Sequence, residues 1–277
     1  MSIAAELLEA IERMASRLAL PPVAEVYVPD AQPAAHRDAE FGLVALAEGS
    51  AGFYYAWLGA SQAGMAARYA AEDFAGTSPL ALARRLARDD DAERSLALAA
   101  IGALTTHLHR RAGYLPPAAQ DSMAGIACTR GGHLGMIGNF SPLVRRARAA
   151  GMRVTVIERK PQMCCEEDGL SITLDPSALA SCDAIIVTGA TLINDSLDGM
   201  LEHCRHARRV VLLGPTAGVL PQVLFGRGIA ALGGLEILDA PRALARLRAG
   251  EKLGDAARRY LIEASDYPSF DALLARC

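Results

Sequence analysis

Leu134-Gly135-Met136-Ile137-Gly138-Asn139-Phe140-Ser141-Pro142 reads as a short buried strand that turns sharply into a helix. The apolar run at 134–137 leaves the strand no polar face, so both of its sides must be covered. Gly138 and Asn139 break the run, and Ser141-Pro142 suits the first turn of a helix predicted to reach Ala150. The rhythm then repeats. Residues 153–157 predict a second strand ending at Glu158, and 184–187 a third, leaving through Thr188-Gly189-Ala190-Thr191 into a helix near 195–204. Residues 210–213 predict a fourth strand, leaving through Gly214-Pro215-Thr216, and 235–238 a fifth, with helices from there to the end of the sequence. Continuous apolar strands alternating with helices are the pattern of a parallel sheet covered on both faces, so this part of the chain is α/β and Rossmann-like.

Residues 1–125 read differently. Leu7, Leu8, Ile11, Met14 and Leu18 form one stripe of an amphipathic helix over residues 1–20, and its Glu6, Glu9 and Glu12 argue against a signal peptide. Residues 24–28, 41–46 and the aromatic-rich 52–58 predict three strands. Ser78-Pro79 opens a helix to about Arg88. Asp89-Asp90-Asp91 precede a longer helix over 92–111, with Leu96, Ala100, Ala103 and Leu104 on its buried stripe. Strands followed by segregated helices indicate a smaller α+β unit. Two domains are therefore expected, 1–125 and 126–277, with net charges of −5 and +2 that sum to the chain's −3.

Hydrophobic residues make up 52% of the 277 and charged residues 21%, which excludes a disordered chain. A net charge of −3 leaves no basic surplus for nucleic acid. The most apolar later run, 210–220, is short and interrupted by Gly214, Pro215 and Gly218, so no membrane span is expected. The six cysteines (128, 164, 165, 182, 204, 277) show no C-x-x-C spacing, as expected of reduced thiols in a cytoplasmic protein. Only Lys160 and Lys252 among the 28 basic residues are lysines, and alanine numbers 54; a coding bias accounts for both. The alanine-rich helix at 92–111 suits close packing against another domain or against a second copy in a homo-oligomer.

In open parallel sheets ligands lie at the carboxyl ends of the strands, where loops and helix starts converge. This sequence places Gly138, Asn139, Phe140 and Ser141 there after the first strand, and Glu158 after the second. Thr188, Gly189, Thr191 and Asn194 follow the third strand, and Gly214, Pro215 and Thr216 the fourth. Glycines let a ligand approach the backbone, while hydroxyls and helix-start N–H groups suit an anionic or carbonyl-bearing ligand; the same residues also serve as ordinary turns and caps. Glu158 stands twenty positions after Gly138, where dinucleotide folds keep a ribose-binding acid, but Gly135-Met136-Ile137-Gly138 lacks the G-x-G-x-x-G pattern. A nucleophile elbow and a phosphate loop are absent, and no histidine falls on these loops, which leaves Glu158 as the acid or base of any enzymatic reading.

Met163-Cys164-Cys165-Glu166-Glu167-Asp168 is the most chemically loaded stretch, read as a loop over the same sheet edge. Cys164, Cys165 and Glu166 are candidate ligands for a transition metal, although adjacent cysteines wrap one ion poorly and a solvated acidic turn is the plainer reading. His203, Cys204 and His206 read as a polar helix end beside Arg205, and His107 and His109 diverge on their helix.

The run Thr188-Gly189-Ala190-Thr191-Leu192-Ile193-Asn194-Asp195-Ser196-Leu197-Asp198, together with Gly214-Pro215-Thr216-Ala217, Pro221 and Leu224-Phe225, resembles a heavy-metal-chelation family of unknown function. Gly135 to Phe140, Val156-Ile157-Glu158 and, in the front unit, Glu93 to Ile101 are similar to that family as well. The resemblance implies an enolase-N-terminal-like domain packed on a Rossmann-like domain, with a ligand cleft between them. It also implies a role in binding heavy metals or metal-chelating ring compounds, linked to corrinoid synthesis. Gly102-Ala103 departs from the Asn-Ala expected there, removing a polar side chain read as facing the cleft, and Ser196 replaces a threonine. The expected function is binding of a metal ion or a metal-chelating small molecule in the interdomain cleft. The alternative is a transferase or lyase acting on an anionic small molecule, with Glu158 as general acid or base.

Overall fold

A computed structural model of the chain describes residues 1–29, 40–56, 61–69 and 73–277. Ser2 caps α1 (Ile3–Ala15) by accepting from the Ala5 N–H at 3.3 Å, and Ile3, Leu7, Ile11, Met14 and Leu18 are buried along one stripe. β1 (Val23–Tyr27), β2 (Phe41–Leu46) and β3 (Ala51–Tyr55) form an antiparallel sheet in that order. Trp57 and Leu58, expected at the end of the third strand, lie outside the described residues. After α2 (Ser61–Tyr69), Ser78 and Pro79 open α3 (Pro79–Ala83), which tightens into a 3₁₀ turn through Ala87. Asp90 caps α4 (Asp91–Arg111), accepting from the N–H groups of Ala92 and Glu93 at 2.9 and 3.0 Å.

The burial of α4 exceeds the single stripe expected. From Arg94 to Thr105 every residue is buried, because the three-stranded sheet covers one side of the helix and the larger sheet's elements cover the other. Small residues make this possible. A Cβ built on Gly52 of β3 would lie 2.2 Å from the Ala99 carbonyl oxygen, and one on Gly102 would lie 3.3 Å from the backbone of Gly52 and of Gly218. Gly102 therefore sits at a crossing of backbones and faces no cleft, which corrects the reading of a lost polar contact there. The faces of α4 are likewise occupied within the chain itself.

The second sheet contains β4 (His133–Ile137), β5 (Arg153–Ile157), β6 (Cys165–Glu167) and β7 (Leu170–Thr173). It continues with β8 (Ala184–Thr188), β9 (Arg209–Leu213), β10 (Ala231–Ile237) and β11 (Ala257–Glu263). Their spatial order is β11-β10-β9-β8-β4-β5-β7-β6. β10, β9, β8, β4, β5 and β7 run parallel, and β11 and β6 close the two edges antiparallel. Numbered by appearance, the six parallel strands have the order 3-2-1-4-5-6 of dinucleotide-type folds, with the switch point between β4 and β8. The fold is thus α/β and Rossmann-like, with a small antiparallel sheet ahead of it.

Three expectations need correction. The stretch at 163–168 is a 3₁₀ turn followed by the edge strand β6, which pairs with β7 through a hairpin at Gly169 (φ +72°). The helix expected at 195–204 is two helices, α6 (Ala190–Ile193) and α7 (Leu197–His203), because Asp195 adopts a left-handed backbone (φ +56°). The tail after the fifth strand is not all helical: β11 lies between α9 (Ala240–Arg248) and α10 (Phe270–Leu274), its Arg258 paired with Glu236 on β10. α5 (Ser141–Ala149) and α8 (Pro221–Phe225) complete the layers.

Neighbouring residues of one strand feed opposite cores. On β8, Ile185 and Val187 join the cluster that also holds Leu7 of α1 and Leu96 and Ile101 of α4, while Ala184 and Ile186 join Leu143, Val144 and Ala147 of α5. Leu43 and Phe53 of the front sheet pack on Ile237 and on Ala243, Leu244 and Leu247 of α9. No helix among the described residues is long and apolar enough to cross a membrane.

Candidate functional site

At the switch point the loops after β4 and β8 diverge toward opposite faces of the sheet, and a crevice must open between them. Here it widens into a cleft of about 1780 Å³. Of the strand-end residues expected there, all but Ser141 line it: Gly138, Asn139 and Phe140; Glu158; Thr188, Gly189, Thr191 and Asn194; Gly214, Pro215 and Thr216. The front part of the chain supplies the opposite wall through Phe41, Tyr55, Arg68 and Asp89 to Asp91.

The glycines act differently from the reading of backbone approach to a ligand. Gly138 donates its N–H to the Ile157 carbonyl (2.9 Å), Gly189 to that of Leu213 (2.9 Å) and Gly214 to that of Gly233 (3.0 Å). Each bond extends the ladder by one residue, so these N–H groups are committed within the protein. A Cβ on Gly189 would stand 2.6 Å from the Ala217 nitrogen; glycine there lets the loops after β8 and β9 pack backbone to backbone.

Several polar side chains are also spent on local order. Thr191 Oγ1 donates to the Thr188 carbonyl at 2.7 Å, and Asn194 Oδ1 accepts from the Ser196 amide (3.2 Å) and hydroxyl (2.6 Å). Glu158 accepts the Arg159 N–H at 2.8 Å. Asp90 pairs with Arg68 at 2.8 Å. Beside it, burial raises the pKa of Asp91, Asp89 and Asp90 add to the rise, and the charges of Arg159 and Arg94 oppose it. Arg159, after β5, is thus near enough to the start of α4 for its charge to oppose that rise. No histidine is among the described lining residues.

The cysteine-rich stretch lies elsewhere. Cys165 packs against the core on the α5 side of the sheet, Cys164 is exposed, and Glu166 is exposed and bonded to Ser171. Successive strand residues point to opposite faces, so Cys165 and Glu166 diverge. None of the three lines the cleft, and among the described residues no three His, Cys, Asp or Glu side chains converge on a metal-sized site. Cys204 is buried, its thiol pushed up to about 12 by burial, and donates to the Met200 carbonyl; His203 and His206 are exposed. His107 contacts Glu48 and the Ala19 carbonyl, whereas His109 contacts Tyr267, so the two diverge as expected.

Some lining residues escaped the strand-end rule. Lys252, Arg259 and Tyr260 enter through β11 and the segment leading into it, and their positions follow only once that strand is known. Lys160 also lines the cleft, so both of the chain's lysines stand there.

The DUF364 family, described as putative heavy-metal chelation, matches this chain over residues 123–264. An uncharacterized protein of Methanocaldococcus jannaschii is 31% identical over 166 residues; the match covers 57% of this chain and 60% of that relative. A DUF364 protein of unknown function from Pyrococcus horikoshii superposes with a TM-score of 0.67 at 21% identity, covering 94% of this chain and 99% of its own. Another, from Desulfitobacterium hafniense, gives 0.63 at 20% identity, covering 93% and 98%. At these identities the likeness is one of fold.

Proposed function

The chain belongs to the DUF364 family, and from that premise we propose that it binds a metal-chelating small molecule in the cleft at the carboxyl ends of β4, β5, β8 and β9. The observation that carries this reading is a contrast. The polar residues named as ligand contacts line one cleft, whereas the candidate metal donors Cys164 and Cys165 lie outside it with no third partner among the described residues. A tetrahedral thiolate site needs spaced, converging ligands. A heavy metal held by this protein therefore belongs to its ligand, as cargo. Asn139, Thr188 and Thr216 supply polar contacts around it, as do Glu158 and Asn194 through the side-chain atoms that make no local bond, and Phe140 supplies an aromatic face.

The acid–base alternative centres on Glu158, whose carboxylate is engaged by the next residue's amide; no observation singles it out for proton transfer.

Elemental analysis of the full chain and of Cys164→Ser/Cys165→Ser tests the proposal. Metal content should be unchanged in the double variant. Its loss would return the metal to the β6 edge and overturn the reading.

A further inference from the structure

Arginine forms nearly all the ion pairs among the described residues, the exception being His107 with Glu48. Among the described residues neither lysine pairs with a carboxylate, and both line the cleft, at opposite sides of it: Lys160 beyond β5 and Lys252 ahead of β11. In a chain with 26 arginines, a composition bias toward arginine does not explain why the two exceptions share one cleft. A compact, unpaired ammonium is a point charge available to an anion.

A second, independent observation sits on the Lys252 side. β10 continues past the end of β9, whose last residue Leu213 pairs with Gly233, and Gly234 to Ile237 rise with β11 as a two-stranded ribbon. Tyr260 on that ribbon is only 8% exposed, and Thr216 on the loop after β9 only 3%. Both line the cleft, and neither hydroxyl bonds to another group among the described residues. The Tyr260 oxygen lies against the loop that carries Thr216: a Cβ on Gly218, two residues after Thr216, would be 3.2 Å from it, and one on Gly234 2.5 Å. Burial raises the pKa of the phenol, which keeps it a donor. Neither Tyr260 nor Thr216 is among the hydroxyls shut off from solvent without a partner, which are those of Ser50, Tyr69 and Ser95, so both oxygens are open and free to donate to a group in the cleft. The Lys252 backbone is held in place by Arg246, which donates to its carbonyl at 3.1 Å.

We infer that the loop after β9 and the β10–β11 ribbon form an oxyanion subsite, in which Tyr260 and Thr216 donate to a carboxylate or phosphate of the ligand and Lys252 supplies the counter-charge. This rests on the cleft being the ligand site, and it makes the ligand anionic.

Calorimetric titration of the full chain with citrate and, separately, inorganic phosphate tests it. Wild type should bind at least one of them, and the tighter one identifies the oxyanion's source. Tyr260→Phe should weaken binding about tenfold, as expected for a lost hydrogen bond to a charged group. Lys252→Met should weaken it similarly and flatten its salt dependence. Lys252→Arg should retain most affinity, and Arg208→Met, exposed and paired with Asp183, should retain all of it. Lys252 is exposed, so its variants test the charge even where a change at Tyr260 disturbs folding. No binding of either anion by wild type, or unchanged binding by both Tyr260→Phe and Lys252→Met, overturns the subsite. A metal chelate recovered from the protein together with either result would leave the cleft reading standing.

Discussion

Gly52 and Gly199 are both glycines inside regular elements, and they should respond oppositely to alanine. At Gly52 the new Cβ meets the α4 backbone at 2.2 Å, which no rotamer can relieve. Gly52→Ala should cost at least about 2 kcal/mol, read as a lower denaturation midpoint. Gly199, exposed on α7 with nothing within 4 Å of its Cβ position, should gain about 0.5–1 kcal/mol on the same change. A residue-scale prediction also follows from Glu48. Burial raises its pKa, but bonds from His107 (2.7 Å) and the Ser50 amide (2.5 Å) outweigh this and hold it at about 2, against an ordinary 4.5. A carboxyl depressed by folding stabilises above its unfolded pKa and loses that contribution as pH falls toward the folded value. Between pH 4.5 and 2 the wild-type midpoint should therefore fall more steeply than that of Glu48→Gln; parallel curves would contradict the assignment. The strand-end residues were legible at this scale because a topology rule, needing only strand boundaries, places them. The function of the glycines was not, since the sequence does not say that Gly189 faces Ala217.

Between elements, Arg94 ties α4 to α6. It is buried in α4 and donates to the carbonyls of Ile193 (2.7 Å), Leu86 (2.9 Å) and Leu192 (3.2 Å), and to Asp195 (2.7 Å). It thereby holds the end of α6 and the left-handed Asp195 that splits α6 from α7, just beyond the cleft residues Thr191 and Asn194. Arg94→Met leaves those carbonyls unpaired, at about 1–3 kcal/mol. Amides of Asn194 and Ser196 should exchange faster while those of β4 stay protected; uniform exchange would mean the clamp is not local. Element existence was legible wherever burial follows a period, as in α1. β11 was lost because Arg258 and Arg259 interrupt its apolar pattern, and their partners, Glu236 and the Pro116 carbonyl for Arg258, lie far away in sequence. With β11 went Tyr260 and its place on the ribbon. Burial of α4 on all sides is set by what packs on the helix, which no window of its own residues contains.

At the scale of the whole molecule, α1 and α4 share a core with β8, β9 and β10. The segment between α4 and β4 is also tied down, Ala119 donating to the Arg259 carbonyl at 3.1 Å and Leu261 to that of Pro117 at 3.0 Å. We propose that 1–125 and 126–277 divide the architecture without dividing the folding. Calorimetry should show one transition with equal calorimetric and van't Hoff enthalpies, and two resolved transitions would contradict this. These parts enclose the cleft, and native mass spectrometry of the full chain as purified shows what occupies it. The expected result is a non-covalent organic mass that carries its metal with it when the protein is denatured. A metal ion bound without organic mass, or the bare protein mass alone, would contradict it.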